Sequence, residues 1–183
     1  EVVNLARLSP SNSNTQPWHF AVVSGEAKDK LSQLILDAVA AGQKPNPAQP
    51  SGGMGLKGVY KERQYDCAYT YYGAMGVARD DKEGRHKLLL RNWEFFGAPH
   101  AGFLSMPATM HLANGLDIGI FLQSLMLLFA ERGIGTIPQG ALAAYPDQAR
   151  QIAALPEENK IVCGLSFGYP VPGSDRKSTR LNS

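Results

Sequence analysis

The segment from Leu116 to Ala130 constrains the fold of this 183-residue chain most, because it is apolar on more than one side of a helix. The apolar side chains at helical spacing are Ile118, Phe121, Leu122, Leu125, Leu128 and Phe129. A helix of this kind belongs at the centre of a core or at a subunit interface. Asp117, Gln123 and Ser124 interrupt the segment, which is also short for a membrane span. We therefore predict a helix at the centre of a core or at a subunit interface, and no membrane partner.

The composition is that of a globular chain: hydrophobic residues make up 44% and charged residues 19%. These values exclude wholesale disorder. Lysine and arginine number 18 against 16 acidic residues, so a net charge of +2 offers no broad positive surface for nucleic acid. Two cysteines, Cys67 and Cys163, are too few for a disulfide-stapled secreted scaffold. We predict a cytoplasmic protein with one domain over residues 1–175.

Local patterns predict strands alternating with helices. The predicted strands are 18–23, 101–106 and 160–168; the predicted helices are 2–8, 25–41, 60–78 (broken near Gly73 or Gly76), 80–96, 114–132 and 145–155. Ser24 is expected to cap the helix at 25–41. Residues 137–140 are expected to form a turn, and residues 44–58 a Pro- and Gly-rich surface loop. The order predicts an α+β fold with a small sheet flanked by long helices.

No motif for side-chain catalysis stands out. The chain has no glycine-rich phosphate loop and no nucleophile elbow. Its four histidines lack metal-ligand spacing with one another or with either cysteine. Cys163 falls on an apolar strand face with Ile161, Leu165 and Phe167, and Cys67 has no activating neighbour. We predict no catalytic side chain and no metal site.

Two segments are suited to ligand binding. Ser9 to Trp18 (SPSNSNTQPW) places hydroxyl and amide groups between two prolines, a combination that can hold a flat polar heterocycle by hydrogen bonds. Gly133 to Gly140 follows the apolar helix and can direct successive backbone N–H groups toward a ligand.

Five segments together resemble the nitroreductase family of flavin mononucleotide (FMN) enzymes, in particular its nitrobenzoate-type branch. They are SPSNSNTQPWHF (9–20), RNWEFFGAPHAGFL (91–104), LDIGIFLQSLML (116–127), GIGTIPQGAL (133–142) and VCGLSFGYP (162–170). The resemblance runs from about Val2 to Pro172. It implies a nitroreductase-like fold with a small mixed or antiparallel sheet, built as an intertwined homodimer with FMN at the interface.

The resemblance also implies the reaction and the cofactor residues. NADH or NADPH would deliver a hydride to FMN and leave, after which a nitro-aromatic or quinone acceptor would take the electrons. Aromatic side chains, namely Tyr60, Tyr65, Tyr69, Tyr71, Phe95 and Phe96, would line the substrate side. The implied cofactor-binding residues are Pro10, Ser11, Asn12, Asn14, Gln16, Pro138, Gln139 and Gly140.

Both ends depart from the family pattern. The arginine-rich segment that binds the FMN phosphate would precede Glu1, so we expect upstream residues to be missing and FMN to bind this chain weakly or not at all. Residues 176–183 resemble translated adapter sequence, and we expect them to be non-native. Alternatives on the same scaffold are a dehalogenating or flavin-fragmenting enzyme, a flavin-sequestering protein, and an inactive fragment.

Overall fold

A computed structural model describes residues 1–49 and 55–171. The helices are α1 (Val2–Ala6), α2 (Gly25–Ala40), α3 (Val59–Ala74), α4 (Lys82–Leu90), α5 (Leu112–Glu131) and α6 (Pro146–Ile152). The strands are β1 (His19–Ser24), β2 (His100–Pro107), β3 (Gly135–Gln139) and β4 (Asn159–Gly168). The chain divides into two compact units: one comprises residues 1–49 and 92–170, and the other contains α3 and α4. The predicted single domain over 1–175 stays a prediction, and residues 176–183 lie outside the described residues.

The first unit is built on a four-stranded sheet with the order β1-β2-β4-β3. All three strand pairs are antiparallel, so the sheet is antiparallel rather than mixed. Its chain order of strands and helices confirms the predicted α+β class. The sheet ends in two edge strands: β1 follows the first candidate cofactor segment, and β3 contains Pro138 and Gln139 of the second.

Helix α5 is the core helix, as the sequence predicts. One side of it buries Ile118, Phe121, Leu125 and Phe129 in a cluster with residues of β2 and β4. The helix begins at Leu112, two residues before the predicted start, because Asn114 does not cap it. Instead the Asn114 side chain accepts a hydrogen bond from the His111 N–H at 3.3 Å, in a capping box.

The opposite side of α5 carries an apolar stripe that this chain leaves exposed. The stripe consists of Leu112, Leu116, Ile120 and Leu127, which are 86%, 68%, 42% and 61% exposed. Their spacing of four, four and seven residues keeps all four within about 80° of arc on an ideal helix. α5 is also long and apolar enough to cross a bilayer, by length and composition alone, as soluble core helices are.

A β-bulge changes which side chains of β4 share a face, so the prediction that Ile161 and Cys163 lie on the same face is wrong. Leu104 pairs with Cys163 and Ser105 pairs with Ile161, so Val162 is an extra residue opposite β2. An extra residue reverses the alternation of side chains on one side of the bulge. Cys163, with Leu165 and Phe167 beyond it, therefore packs against the α5 core cluster, whereas Ile161 lies outside that cluster.

The predicted helix at 80–96 is shorter than the sequence pattern indicates. Asp81 caps it by accepting a hydrogen bond from the Gly84 N–H at 2.8 Å, and the helix ends at Leu90. Phe95 and Phe96 both have a φ of +53°, and this left-handed backbone interrupts the helical period. As a result Phe95, rather than Phe96, is the fully buried side chain.

At the start of α2, the predicted cap by the Ser24 side chain is wrong. Ser24 occupies the predicted N-cap position, but its side chain makes no capping hydrogen bond. Its hydroxyl lies 2.6 Å from Nδ1 of His100, which faces it across the β1–β2 pair. The Ser24 hydroxyl, which the sequence predicts to cap α2, therefore contacts a side chain of the neighbouring strand instead.

Candidate cofactor site

The polar loop before β1 is closed by its own side chains. Asn12–Asn14 forms a single 3₁₀ turn. The Gln16 N–H donates to the Ser11 hydroxyl at 2.9 Å, and the Gln16 amide donates to Asn14 Oδ1 at 3.0 Å. Three of the predicted cofactor residues, Ser11, Asn14 and Gln16, are thus joined in one exposed structure.

This loop also has a strained backbone. Ser13, Asn14 and Gln16 have φ values of +52°, +54° and +45°, in the left-handed region that residues other than glycine rarely adopt. Each such residue costs on the order of 1 kcal/mol or more and persists only where the surroundings fix it. Three of them within four residues indicate that surrounding contacts hold the loop in this one shape.

Helix α5 supplies the groups that fix the loop. Asp117 Oδ1 accepts a hydrogen bond from the Asn12 N–H at 3.0 Å, and Ser9 donates to the Ser124 hydroxyl at 2.9 Å. Behind the loop, Trp18 stacks on Phe121 with ring centroids 5.1 Å apart. The core helix therefore determines the position of the loop as well as the packing of the sheet.

Asp117 is the site residue that sequence reasoning missed. It is 4% exposed, and its Oδ2 is buried without a hydrogen-bond partner among the described residues. Burying a carboxylate costs free energy unless the carboxylate is hydrogen-bonded. Here Oδ1 accepts the hydrogen bond from the loop backbone at Asn12. The signal in the sequence is an acidic residue, Asp117, within the most apolar segment of the chain.

The second candidate segment differs from its prediction. Residues 137–139 are not a turn but the end of edge strand β3, and a 3₁₀ turn begins at Gly140. Pro138 fits this place because an edge strand tolerates a residue that has no N–H to donate. Pro138 and Gly140 are exposed.

Gln139, by contrast, is buried and supports the structure. Its amide donates to the Asn92 carbonyl at 3.0 Å, and its Oε1 accepts a hydrogen bond from Ser166 of β4. The Gln139 side chain is thus occupied inside the protein, and the segment offers a ligand its backbone and the exposed Pro138 and Gly140.

The sheet places the two segments at opposite edges. The polar loop leads into β1, and Pro138 lies on β3, with β2 and β4 between them. Three strand spacings of about 4.8 Å separate these edges by roughly 14 Å.

The groups present fit a neutral polar heterocycle bound without covalent chemistry. The loop offers amides, a hydroxyl, a proline ring and backbone groups at the surface. Burial raises the pKa of the Cys163 thiol to about 11, so this thiol is neutral and unreactive at neutral pH. Among the predicted lining residues, Tyr60, Tyr65 and Tyr69 are exposed, but Phe95 is fully buried and cannot line an open site.

Comparison with known proteins identifies the family. The model of the nitroreductase family matches residues 1–169, so the chain belongs to the nitroreductase family. A 4-nitrobenzoate reductase of Pseudomonas putida is 34% identical over 99% of this chain and 79% of its own length. The nitroreductase NfnB of Mycolicibacterium smegmatis is 39% identical over 92% of this chain and 71% of its own.

A solved structure agrees with this assignment. The FMN-dependent nitroreductase NfnB from Mycobacterium smegmatis, in complex with NADPH, superposes with a TM-score of 0.86 at 34% identity. The match covers 100% of this chain and 86% of that one. The nitroreductase fold expected from the sequence is thereby confirmed.

Proposed function

We propose that this chain is an FMN-dependent NAD(P)H oxidoreductase that reduces nitro-aromatic compounds in a ping-pong reaction. The observation that carries the proposal is the strained loop of residues 11–16, fixed by Asp117, in a member of the nitroreductase family. Such a loop meets the need of a flavin site for preorganised polar contacts. When bound, FMN supplies the redox chemistry by accepting a hydride from the nicotinamide and passing electrons to the acceptor.

The protein's own task is to bind and orient. Pro10, Ser11 and Asn12 would lie against the flavin, and Asn14 and Gln16 would hold the loop in shape, as their hydrogen bond suggests. The backbone at Pro138, Gln139 and Gly140 would approach the flavin ring, with Gln139 anchored to Asn92 and Ser166. No catalytic acid or base is required of the side chains, because the cofactor carries the reaction.

The active form proposed here is an intertwined homodimer. Two observations support it: the two partial sites lie at opposite edges of one sheet, and α5 presents an exposed apolar stripe. A second copy that covers the stripe removes that apolar surface from water. The same copy can bring its Pro138–Gly140 segment to the polar loop of the first.

The proposed acceptors are nitro-aromatic compounds and quinones, and the donor is NADH or NADPH. Relatives carry the names 4-nitrobenzoate reductase and nitrobenzene nitroreductase, and one structural neighbour is in complex with NADPH. We place the protein in the cytoplasm, without a nucleic-acid or membrane partner, on the strength of its near-neutral charge and its family.

Steady-state kinetics test this proposal. Purified protein saturated with FMN should oxidise NADPH or NADH only when a nitro-aromatic acceptor is added. Initial rates at several fixed acceptor concentrations should give parallel double-reciprocal lines, the pattern of a ping-pong reaction. Retained FMN without acceptor-dependent oxidation would instead indicate a flavin-sequestering protein.

A further inference from the structure

Ser24 and His100 form a hydroxyl–imidazole pair outside the candidate cofactor segments. The Ser24 Oγ lies 2.6 Å from His100 Nδ1, and the two residues face each other across the β1–β2 pair. The polar loop leads into β1 at His19, whereas Ser24 ends that strand. A hydroxyl within hydrogen-bond reach of a base is the arrangement that nucleophilic catalysis requires.

Packing holds the imidazole of this pair in place. The His100 ring stacks on Phe167 of β4 with the ring centroids 5.2 Å apart. Phe167 stacks in turn on Phe129 of α5 at 4.8 Å, and Phe129 belongs to the buried core cluster. A base that a third group orients toward the nucleophile completes the usual catalytic arrangement. In this chain the orienting group is an aromatic ring.

The nucleophile of the pair stands at the start of a long helix. Ser24 is the N-cap residue of the 16-residue α2, and its side chain makes no capping hydrogen bond. The first N–H groups of a helix have no partner within the helix and carry a partial positive charge. N–H groups directed at a developing oxyanion stabilise it. The junction therefore combines a nucleophile, a base and donors for an oxyanion.

The chain lacks the Gly-x-Ser-x-Gly motif, but its backbone at this junction turns as sharply and stays open. Gly25 has a φ of +54°, in the left-handed region that favours glycine, and a Cβ placed there would meet no atom within 4 Å. Ser24 is exposed, so a substrate can reach its oxygen. Glu26, in the first turn of α2, is also exposed and disfavours an anionic substrate.

We propose that this chain has a second activity, the hydrolysis of small uncharged carboxylic esters, at the Ser24–His100 pair. Ser24 is the nucleophile, His100 is the general base, and the N-terminus of α2 stabilises the oxyanion. This activity needs no flavin and no second copy of the chain. It is therefore independent of the proposed oxidoreductase function.

The reaction balances with the ester and water alone. With the imidazole proton on Nε2, His100 Nδ1 accepts the Ser24 hydroxyl proton while Oγ bonds to the carbonyl carbon. The bond between that carbon and the leaving oxygen breaks, and the leaving alcohol takes the proton from Nδ1. Water then attacks the acyl-serine with the same nitrogen as base, which releases the carboxylic acid and restores Ser24.

Hydrolysis of 4-nitrophenyl acetate by flavin-free protein tests the proposal. Ser24→Ala and His100→Asn should each lower the rate of 4-nitrophenolate release by at least about ten-fold, because a positioned base contributes that much or more. Ser24→Ala removes a hydroxyl that caps nothing, so the variant should fold like the wild type. His86→Asn is the matched control: it removes an exposed histidine of α4, and its rate should equal that of the wild type.

A covalent label gives a readout independent of turnover. An alkyl fluorophosphonate should form one phosphorus–oxygen bond per chain with release of fluoride, and peptide mass spectrometry should locate that bond at Ser24. The label should be absent from Ser24→Ala and slow to form in His100→Asn. Wild-type hydrolysis no faster than that of Ser24→Ala, or a label on another residue, would overturn the proposal. Neither result would bear on the flavin reaction.

Discussion

At the scale of single residues, Asp117 is the side chain on which the proposed cofactor site depends. Its carboxylate is buried in α5, yet the partner of one oxygen is the backbone of the exposed loop at Asn12. The strain at Ser13, Asn14 and Gln16 gives the loop other conformations to relax into once that hydrogen bond is lost. We therefore propose that Asp117 is a positioning residue that acts on the flavin through the loop.

Replacing Asp117 tests this role. Asp117→Leu removes the acceptor for the Asn12 N–H, so FMN affinity should fall about ten-fold, the equivalent of roughly 1.4 kcal/mol. Asp117→Asn retains an oxygen that can accept the same hydrogen bond, and its affinity should stay within about three-fold of wild type. Flavin fluorescence titration measures both. An unchanged dissociation constant in Asp117→Leu, with the protein folded by circular dichroism, would contradict the role.

The two cysteines allow a second prediction at this scale. Cys67 is exposed, whereas Cys163 is partly buried with its pKa raised to about 11 by desolvation. At pH 8 a thiol reagent should therefore modify one thiol in the native protein and two in urea. Two fast-reacting thiols in the native protein would show that β4 does not shield Cys163.

The same shift has a consequence for stability. The folded protein keeps the Cys163 proton above the unfolded pKa of 9.0, so ionisation favours the unfolded chain. The stability that the neutral thiol contributes is present below pH 9 and decreases as the pH rises toward 11. A Cys163→Ala variant should lose this part of the alkaline dependence.

At the scale of elements, α5 organises the molecule with its two sides. The side that carries Ile118, Phe121, Leu125 and Phe129 packs against the sheet, and Asp117 at its border holds the loop. The other side presents the apolar stripe of Leu112, Leu116, Ile120 and Leu127. One helix thus connects the core, the proposed cofactor loop and the proposed dimer interface.

A charge in the stripe tests the interface. Leu127→Lys places a cation where the proposed partner would bury it, so the dimer should dissociate or weaken at least ten-fold. Gln33→Lys adds the same charge on the exposed side of α2 and should leave the oligomeric state unchanged. Analytical ultracentrifugation distinguishes the two. A wild-type monomer at micromolar concentration, or a Leu127→Lys variant as dimeric as wild type, would contradict the homodimer.

The elements also show which features the sequence could predict. Apolar periodicity located α2, α5 and the strands β1, β2 and β4, because burial repeats with the period of the element. It missed β3, since Pro138 and the glycines around it are typical of a turn, and an edge strand accepts them only in its sheet context. It extended α4 to Phe96, because the left-handed backbone at Phe95 leaves no trace in the apolar pattern.

The site was predictable in part for the same reason. The residue types of Pro10–Gln16 indicated a polar binding loop, and the structure gives that loop a definite shape. Its anchor to Asp117 joins residues 105 positions apart in the chain, and no local pattern contains such a contact. Likewise the bulge at Val162, which moves Ile161 to the other face of β4, arises from pairing with β2 rather than from β4 alone.

At the scale of the whole molecule, the chain is a member of the nitroreductase family whose proposed sites require two copies. The loop and the β3 end lie at opposite edges of the sheet, and we propose that a second copy covers the exposed α5 stripe. If FMN binds only the dimer, FMN binding and dimerisation are linked. Added FMN should then raise the affinity of the two copies for each other, and dimerisation should raise the affinity for FMN.

The most direct test of the central claim is the anaerobic absorbance spectrum of the purified protein with FMN, before and after one equivalent of NADPH. We predict that the flavin bound to the protein bleaches in its visible bands, and that added 4-nitrobenzoate restores them. Protein that retains FMN while NADPH leaves the flavin bands unchanged would contradict the account.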